Sequence, residues 1–355
     1  AQDLTHTKKA PMSIMQLKGR LEDRRLLTGE GRFASDWNFP GQAYAAFLRS
    51  DRAHAEILSI DTGPALALPG VLAALTADDV KAAGFGAFHA ISPGLSRDGQ
   101  EMKKATKIVL AQGRVRYVGE CIVCVVAESP MIAQDAVELI AVEYRDLPAV
   151  TVADDALEPG APQLHQEVPG NLVLDYEIGD EMKTDAAFRR AARVVKLTHY
   201  NTRVVASPME PRACVATYDA AKDMHTLYCC SQGVGRQRAE LAHVTGLPDA
   251  KLDVVASDVG GGFGARSSLY PEYCSVLLAA KKLGRAVKWT GTRSEGFLSD
   301  DQARDSLGTG ELALDADGRF LAMRFDFTAN IGAYLSLNGA NVSTRSAMTC
   351  ITGVY

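Results

Sequence analysis

The sequence predicts a two-domain α+β protein, on three observations. Its 355 residues exceed one ordinary domain. Short β-rich runs alternate with helical ones on both sides of a proline- and acid-rich stretch at 151–171. With 47% apolar and 23% charged residues, the composition is that of an ordinary globular chain. Such a chain buries a full core without disulfides or structural metal. Thirty-eight Lys and Arg against 43 Asp and Glu leave a net charge of -5, which argues against a nucleic-acid binder. No run approaches the ~18 apolar residues of a membrane span. The opening AQDLTHTKKAPMSIM does not read as a secretory signal, because no long apolar run follows its lysines.

Residues 1–26 are polar and basic and read as an arm. Over 27–150 the pattern is mixed. QAYAAFLRS and AEILSIDT are strands, the second with period-two alternation. VLAALTADDVKAAG contains a short helix, with Thr76-Ala-Asp-Asp as its capping start. The run SPGLSRDGQEMKKATK is a surface loop. VRYVGECIVCVVAES is a strand pair or one long strand. Ser129 then caps a helix whose first position is Pro130, and VEYRDLPAV returns as a strand. The stretch 151–171 is a linker or crossing segment.

From 172 to 355 a second unit is expected. HTLYCCSQ is a strand, GRQRAELAHVTGL a helix and KLDVVASDV a strand. GGGFGAR is a loop, SLYPEYCSVLLAAKKLG a helix and RAVKWTGT a strand, in the order of a layered α/β unit. GELALDADGRFLAMRFDFTANIGAY is a hairpin turning at Ala316-Asp317-Gly318.

Seven cysteines in no disulfide-like spacing fit a reducing cytosol. Cys121 and Cys124 form C-x-x-C, but strand alternation is expected to send them to opposite faces as buried strand residues. Cys229 and Cys230, adjacent in sequence, are expected on opposite faces too.

The most informative stretch is Asp258–Arg266. Three glycines, then Phe263 and Gly264, follow a strand and precede a helix. Their bare N–H groups suit an anion or oxo ligand, and the next helix should aim its positive end there. A purely structural turn is the plain alternative. Gly260-x-Gly262-x-x-Ala265 also fits the dinucleotide fingerprint formally, but the required acid after the second strand is missing. Gln232, ending another strand, is a neutral donor and acceptor where α/β ligands bind, or simply a helix-end hydrogen bonder.

These motifs carry a resemblance. RLLTGEGRFASDWNFPGQAYAAFLRSDRAHAEI, SPMEPRACVATYD, CSQGVGRQ, DVGGGFGAR, YPEYCSVLLAAKKLGRAVKW and TRSEGF occur in order. The chain resembles the N-terminal part of the molybdenum-binding large subunit of the xanthine dehydrogenase/aldehyde oxidase family, which includes aerobic carbon monoxide dehydrogenase. The resemblance implies an α/β hammerhead-type domain followed by the first part of a molybdenum-cofactor-binding domain. It places Gln232 on a glutamine that hydrogen-bonds an oxygen ligand of molybdenum, and Phe263 and Gly264 on the pair whose backbone approaches the other oxo ligand. Gly261, Gly262, Ala265 and Arg266 join the expected cofactor-binding set. Ser267 stands in the substrate pocket where purine-hydroxylating members carry glutamate, which argues against xanthine. Glu210 matches a family glutamate and is expected to be structural.

The resemblance implies no metal-ligating side chain here, because a pterin dithiolene holds the metal. It implies no catalytic residue here either, since the family's base glutamate lies beyond residue 355. The chain is then a fragment, a nicked product or part of a split subunit, inactive alone. The implied cofactor is molybdenum–molybdopterin in its cytosine dinucleotide form. Implied partners are the remainder of the large subunit, an FAD-binding medium subunit and a 2Fe-2S small subunit, in a cytoplasmic dimer of heterotrimers. The implied reaction oxidises an aldehyde or N-heteroaromatic with water-derived oxygen. Tyr270-Pro-Glu-Tyr273 resembles the carbon monoxide dehydrogenase helix start, a second reading. A non-catalytic assembly or cofactor-chaperone remnant is a third.

Overall fold

The computed structural model describes residues 19–346. The expected arm lies mostly outside these residues, and so do the last residues of the second unit. A helical turn α1 (Asp23–Leu27) precedes β1 (Ala43–Arg49), β2 (Ala55–Asp61), α2 (Gly63–Ala67), β3 (Val71–Leu75) and α3 (Ala77–Ala82). β4 (Arg114–Val115), β5 (Cys121–Ala127), α4 (Pro130–Glu138), β6 (Ala141–Asp146) and α5 (Ala153–Leu157) complete the first stretch. The local signals act as expected. The Thr76 N–H donates to the Asp79 carboxylate at 3.0 Å at the start of α3, and the Ser129 hydroxyl accepts the Ile132 N–H at 3.2 Å with Pro130 in the first turn of α4. Between α3 and β4 the chain is irregular, as expected of a loop.

The second stretch contains α6 (Glu181–Arg190), β7 (Arg193–Asn201), β8 (Ala213–Asp219), β9 (Met224–Cys229), α7 (Val234–Thr245) and β10 (Leu252–Val255). It continues with α8 (Pro271–Leu283), β11 (Val287–Thr290), α9 (Arg293–Ser299) and the hairpin β12 (Ser306–Leu314) and β13 (Phe320–Ala329). The hairpin turns at 315–319, where the Asp315 carboxylate accepts the N–H groups of Asp317 and Arg319, both at 2.9 Å.

The strands form three sheets. The largest runs β10-β9-β8-β11-β1-β5-β3 and so draws strands from both sides of 151–171. The other two run β13-β12-β7 and β4-β2-β6. The expected division at 151–171 is therefore no boundary in the main sheet, where β1 pairs in parallel with β11 through Ala43–Val287. The cause is visible in β1 and β5, which are buried on both faces. Ala43, Ala45 and Phe47 pack with α8 residues such as Val276 and Leu277. Ala46 joins Ile122, Val125 and the α4 residues Ala133 and Ala136 on the other side. A strand with two apolar faces needs a covering layer on each, and the two halves of the chain supply one each.

The run 115–129 resolves into β4 and β5, in different sheets. Cys121 and Cys124 do not face opposite ways. A bulge pairs Leu48 with Val123 and Arg49 with Cys121, which restores Cys121 to the Cys124 side, and both join one buried cluster. Burial pushes the Cys121 thiol up to about 12, against the pull of the Arg49 guanidinium, so the pair is inert packing. Cys229 and Cys230 do fall in different clusters.

In the hairpin sheet Gly308 lies against Phe327, and a Cβ there would meet Asp326 O at 2.6 Å. Gly308→Ala is expected to lower unfolding free energy by about 1–3 kcal/mol, read by urea denaturation.

Candidate functional site

β9 and β10 are parallel neighbours, paired from Leu252–His225 to Val255–Tyr228. Their C-terminal ends therefore deliver two loops to one rim of the sheet, the place where α/β folds hold ligands. The first loop carries Ser231 and Gln232 into α7. The second runs from Asp258 to Arg266.

The two loops are stitched together. Gln232 Oε1 accepts the N–H of Gly264 at 2.9 Å and of Arg266 at 3.1 Å. The Gln232 N–H in turn donates to Arg266 O at 3.0 Å. Two backbone donors converging on one amide atom require it to be oxygen, so the amide orientation follows from the network. Nε2 is left as the free end, and it makes no hydrogen bond to any described residue. Gly262 has to be glycine here, because a Cβ would lie 2.5 Å from Gln232 Cδ and 2.6 Å from Cγ and Oε1.

The loop backbone is shaped to present donors. Gly261 and Gly264 have φ of 107° and 95°, and Phe263, a residue 75% exposed, adopts φ 50°. A non-glycine residue held in the left-handed region is uncommon and marks over-determined functional loops. The N–H groups of Gly261, Gly262 and Phe263 donate to no described residue. Nearby, the Gly233 N–H is satisfied by Ser231 Oγ at 2.9 Å, while the first turn of α7 has no side-chain cap. The arrangement offers several neutral donors to an oxyanion or oxo group and no charge.

Two expectations are corrected here. The helix end beside the loop belongs to α7, not to the helix that follows the glycines. α8 starts only at Pro271, and its first turn is buried. Arg266 was expected to bind cofactor, yet its side chain is 1% exposed and points inward, so only its backbone faces the site. Its Nη1 donates to Asp300 at 2.8 Å and its Nη2 to Glu210 O at 3.2 Å. The dinucleotide fingerprint is also set aside, because β11 is not a neighbour of β10 and β8 and β9 lie between them. Ala265 and Ser267 build turns. Their N–H groups donate to Gly262 O at 2.9 Å and Gly264 O at 3.0 Å, and the Ser267 side chain is half-buried.

Behind the loop lies a charged cluster that local sequence reading missed. Glu272 accepts from Arg212 at 2.6 and 3.0 Å and from Arg49 at 2.7 Å. Arg212 also donates to Asp300 at 2.5 Å. Burial would raise the Glu272 carboxyl, but the Arg212 and Arg49 guanidinium groups overrule it and hold it well below the usual carboxylate range. Glu210 has the structural role expected of it. Its carboxylate accepts the N–H of Gly260 at 2.7 Å and of Ala34 at 3.0 Å. Asp258 is held down at about 2 by its hydrogen bond to Arg25 and by the Arg32 N–H, which ties the residues before β1 to the start of the loop.

Glu240 on α7 behaves oppositely. Burial pushes its carboxyl up to about 7, against the Leu269 N–H it accepts at 3.1 Å, and Oε1 has no partner among described residues. A raised folded pKa means stability is full below the ordinary value near 4.5 and lost as pH rises to 7. The stability of Glu240→Gln relative to the parent should therefore increase by about 2–3 kcal/mol between pH 4.5 and 8, measured by denaturant titration.

Among the described residues no three His, Cys, Asp or Glu side chains converge on a metal-sized gap. No described helix is long and apolar enough to cross a membrane. A cleft of about 1450 Å³ is lined by residues of 172–181 and β13 among others, and neither Gln232 nor the glycine loop lines it.

Comparison with known proteins agrees with this geometry. Residues 28–148 match the aldehyde oxidase and xanthine dehydrogenase a/b hammerhead domain, and 164–355 match the molybdopterin cofactor-binding domain. The chain is 36% identical over 348 residues to the carbon monoxide dehydrogenase large chain of Afipia carboxidovorans, covering 95% of this chain and 42% of that one. It is 36% identical over 317 residues to the nicotine 6-hydroxylase large subunit of Paenarthrobacter nicotinovorans, with 89% and 38% covered. It is 30% identical over 335 residues to the nicotinate dehydrogenase large molybdopterin subunit of Eubacterium barkeri, with 94% and 74% covered. Among solved structures, the Cu,Mo-CO dehydrogenase superposes with a TM-score of 0.79 at 35% identity, covering 87% of this chain and 39% of that one. Quinoline 2-oxidoreductase from Pseudomonas putida 86 gives 0.77 at 37%, covering 87% and 38%. The chain thus spans about 40% of the length of the first of these relatives. With both domain matches in order and a glycine loop built to offer neutral donors, the chain belongs to the xanthine dehydrogenase/aldehyde oxidase family of molybdopterin-binding large subunits.

Proposed function

We propose that this chain supplies the first half of the cofactor grip in a molybdenum hydroxylase acting on an aldehyde or N-heteroaromatic. Residues 27–150 would supply the hammerhead-like domain and 172–355 the first part of the cofactor domain, with 151–171 as the crossing segment and the main sheet shared between them. The observation that carries the reading is Gln232, whose Oε1 is pinned by two backbone N–H groups so that Nε2 is presented as a donor. The residues fit an oxo-bearing group. Gly262 leaves room for Gln232, Gly261 and Gly264 take the backbone conformations the loop needs, and the N–H groups of 261–263 are unspent.

Bound there, the molybdenum group would supply the redox chemistry of hydroxylation with water-derived oxygen. This chain's part would be to bind and orient it through neutral donors, the Gln232 Nε2 and the N–H groups of 261–263, while the Gly264 N–H holds Gln232 Oε1. Ser267, in place of a carboxylate, suits a substrate less polar than a purine. Its partners would be an FAD-binding medium subunit and a 2Fe-2S small subunit in a cytoplasmic dimer of heterotrimers, with the pterin in its cytosine dinucleotide form.

The test is molybdenum and pterin analysis of the purified complex with turnover of an aldehyde and N-heteroaromatic panel against a dye acceptor. Gln232→Ala should leave the complex assembled and lower turnover about tenfold or more. Unchanged turnover would count against Gln232, and an intact complex without molybdenum and pterin would point to an assembly or chaperone remnant. Carbon monoxide oxidation is the second reading, favoured by Tyr270-Pro271-Glu272-Tyr273 and the resemblance to carbon monoxide dehydrogenase chains. Turnover of carbon monoxide alone in the panel would select it.

A further inference from the structure

We propose that Asp300, acting through Arg266, is a positioning residue that fixes Gln232 and the glycine loop. The inference rests on the reading of Gln232 as a residue facing the cofactor, and it concerns residues that never touch that group.

Arg266 has two functions in the fold. Its backbone brackets Gln232, donating to Oε1 at 3.1 Å and accepting the Gln232 N–H at 3.0 Å. Its guanidinium reaches the other way, to Asp300 at 2.8 Å and to Glu210 O at 3.2 Å. Glu210 holds Gly260 through its carboxylate at 2.7 Å. The single guanidinium therefore ties both ends of the loop, Gly260 through Glu210 and Arg266 through its own chain, to one buried anchor.

That anchor is Asp300, 7% exposed at the end of α9. One carboxylate oxygen takes Arg266 and the other takes Arg212 Nε at 2.5 Å. Arg212 is itself locked by Glu272 and by Ser299 Oγ at 2.6 Å. Arg266 Nε has no partner among described residues, so the guanidinium is held at two points only. Glu272 is already shared by Arg212 and Arg49. Without the Asp300 charge, Arg266 would be a buried cation with one carbonyl to hold it. The turn carrying the Gly264 and Arg266 amides would then loosen, and Gln232 would lose its fixed direction. A local loosening differs from a general one, and that difference makes the role measurable.

The experiment is Asp300→Asn in the full complex, read by amide hydrogen exchange and by kinetics. Expected are Gly264 and Arg266 amides exchanging at least about tenfold faster with β5 and β9 unchanged, and kcat reduced with KM unchanged. Asp300→Glu, which keeps the charge, should fall between parent and Asn. Should the Asn variant not fold, Ser299→Ala removes one support of Arg212 and should raise exchange at 264 and 266 about two- to fivefold. A folded variant with unchanged exchange at both amides overturns the proposal. So does a rise spread equally over β5 and β9, which would make Asp300 a general structural residue. Faster local exchange in a complex that holds no molybdenum or pterin would uphold the positioning and overturn the cofactor reading instead.

Discussion

Gly262→Ala is expected to lower turnover of the loaded complex by about 100-fold while barely moving its melting temperature. The added Cβ would sit 2.5 Å from Gln232 Cδ and 2.6 Å from Cγ and Oε1, distances no packed carbon tolerates. What it strikes is a side chain, so the backbone keeps its path and Gln232 swings away. Gly262 is not among the positive-φ residues, so alanine brings no backbone strain of its own. The cost in stability is the loss of two hydrogen bonds to Oε1, about 1 kcal/mol each and partly recovered by water. The functional loss is larger, because a displaced donor no longer meets the group it is aimed at. Gly261→Ala or Gly264→Ala would be poorer tests, since φ of 107° and 95° add strain at the same time. The decisive pair of measurements is kcat against melting temperature. Parallel losses in both would show a folding defect and refute the steric argument.

Glu272→Gln should cost the fold about 3–5 kcal/mol. Glu272 is 1% exposed and is the shared acceptor for Arg212 and Arg49. The amide keeps the shape but turns its NH2 toward a guanidinium and removes the charge that balances both arginines. The pH dependence fixes the cause. Desolvation acts to raise the Glu272 pKa, and the two guanidinium groups reverse it to a value well below the usual range. A depressed folded pKa supplies stability that is complete above the ordinary value near 4.5 and is lost as pH falls toward the folded value. The gap between parent and variant, measured by urea denaturation, should therefore be constant from pH 6 to 8 and shrink below about pH 4.5. A gap that does not change with pH would refute the electrostatic account.

Features governed by neighbouring residues were legible in the sequence. Ser129 and Pro130 announce α4, alternation announces β2, and three glycines after an apolar run announce the loop. Each is set by interactions within a few residues. β7 carries no such signal, because its first eight residues are all exposed and no buried face imposes a period of two. Alternation alone misplaces Cys121, because a bulge opposite Arg49 is a property of two paired strands and not of one. The Arg49–Glu272–Arg212–Asp300 cluster was invisible for the same kind of reason. Its partners lie 223, 60 and 88 positions apart, and no local pattern joins them. A basic residue beside glycines reads equally as a ligand or an anchor, and for Arg266 only burial decides. The family motifs identified Gln232, and the network around Oε1 gives the orientation of its amide.

The sheet shared across 151–171 bears on how the protein is made. β1 emerges from the ribosome early, yet its parallel neighbour β11 follows about 240 residues later. At ~5–20 residues per second the exposed edge of β1 waits roughly 10–50 s for that partner. Until then a strand with two apolar faces has one layer missing, the state most prone to pairing with the wrong chain. Synthesis of the second half is thus a folding step for the first, and chaperone dependence should track β11 rather than the hammerhead residues themselves.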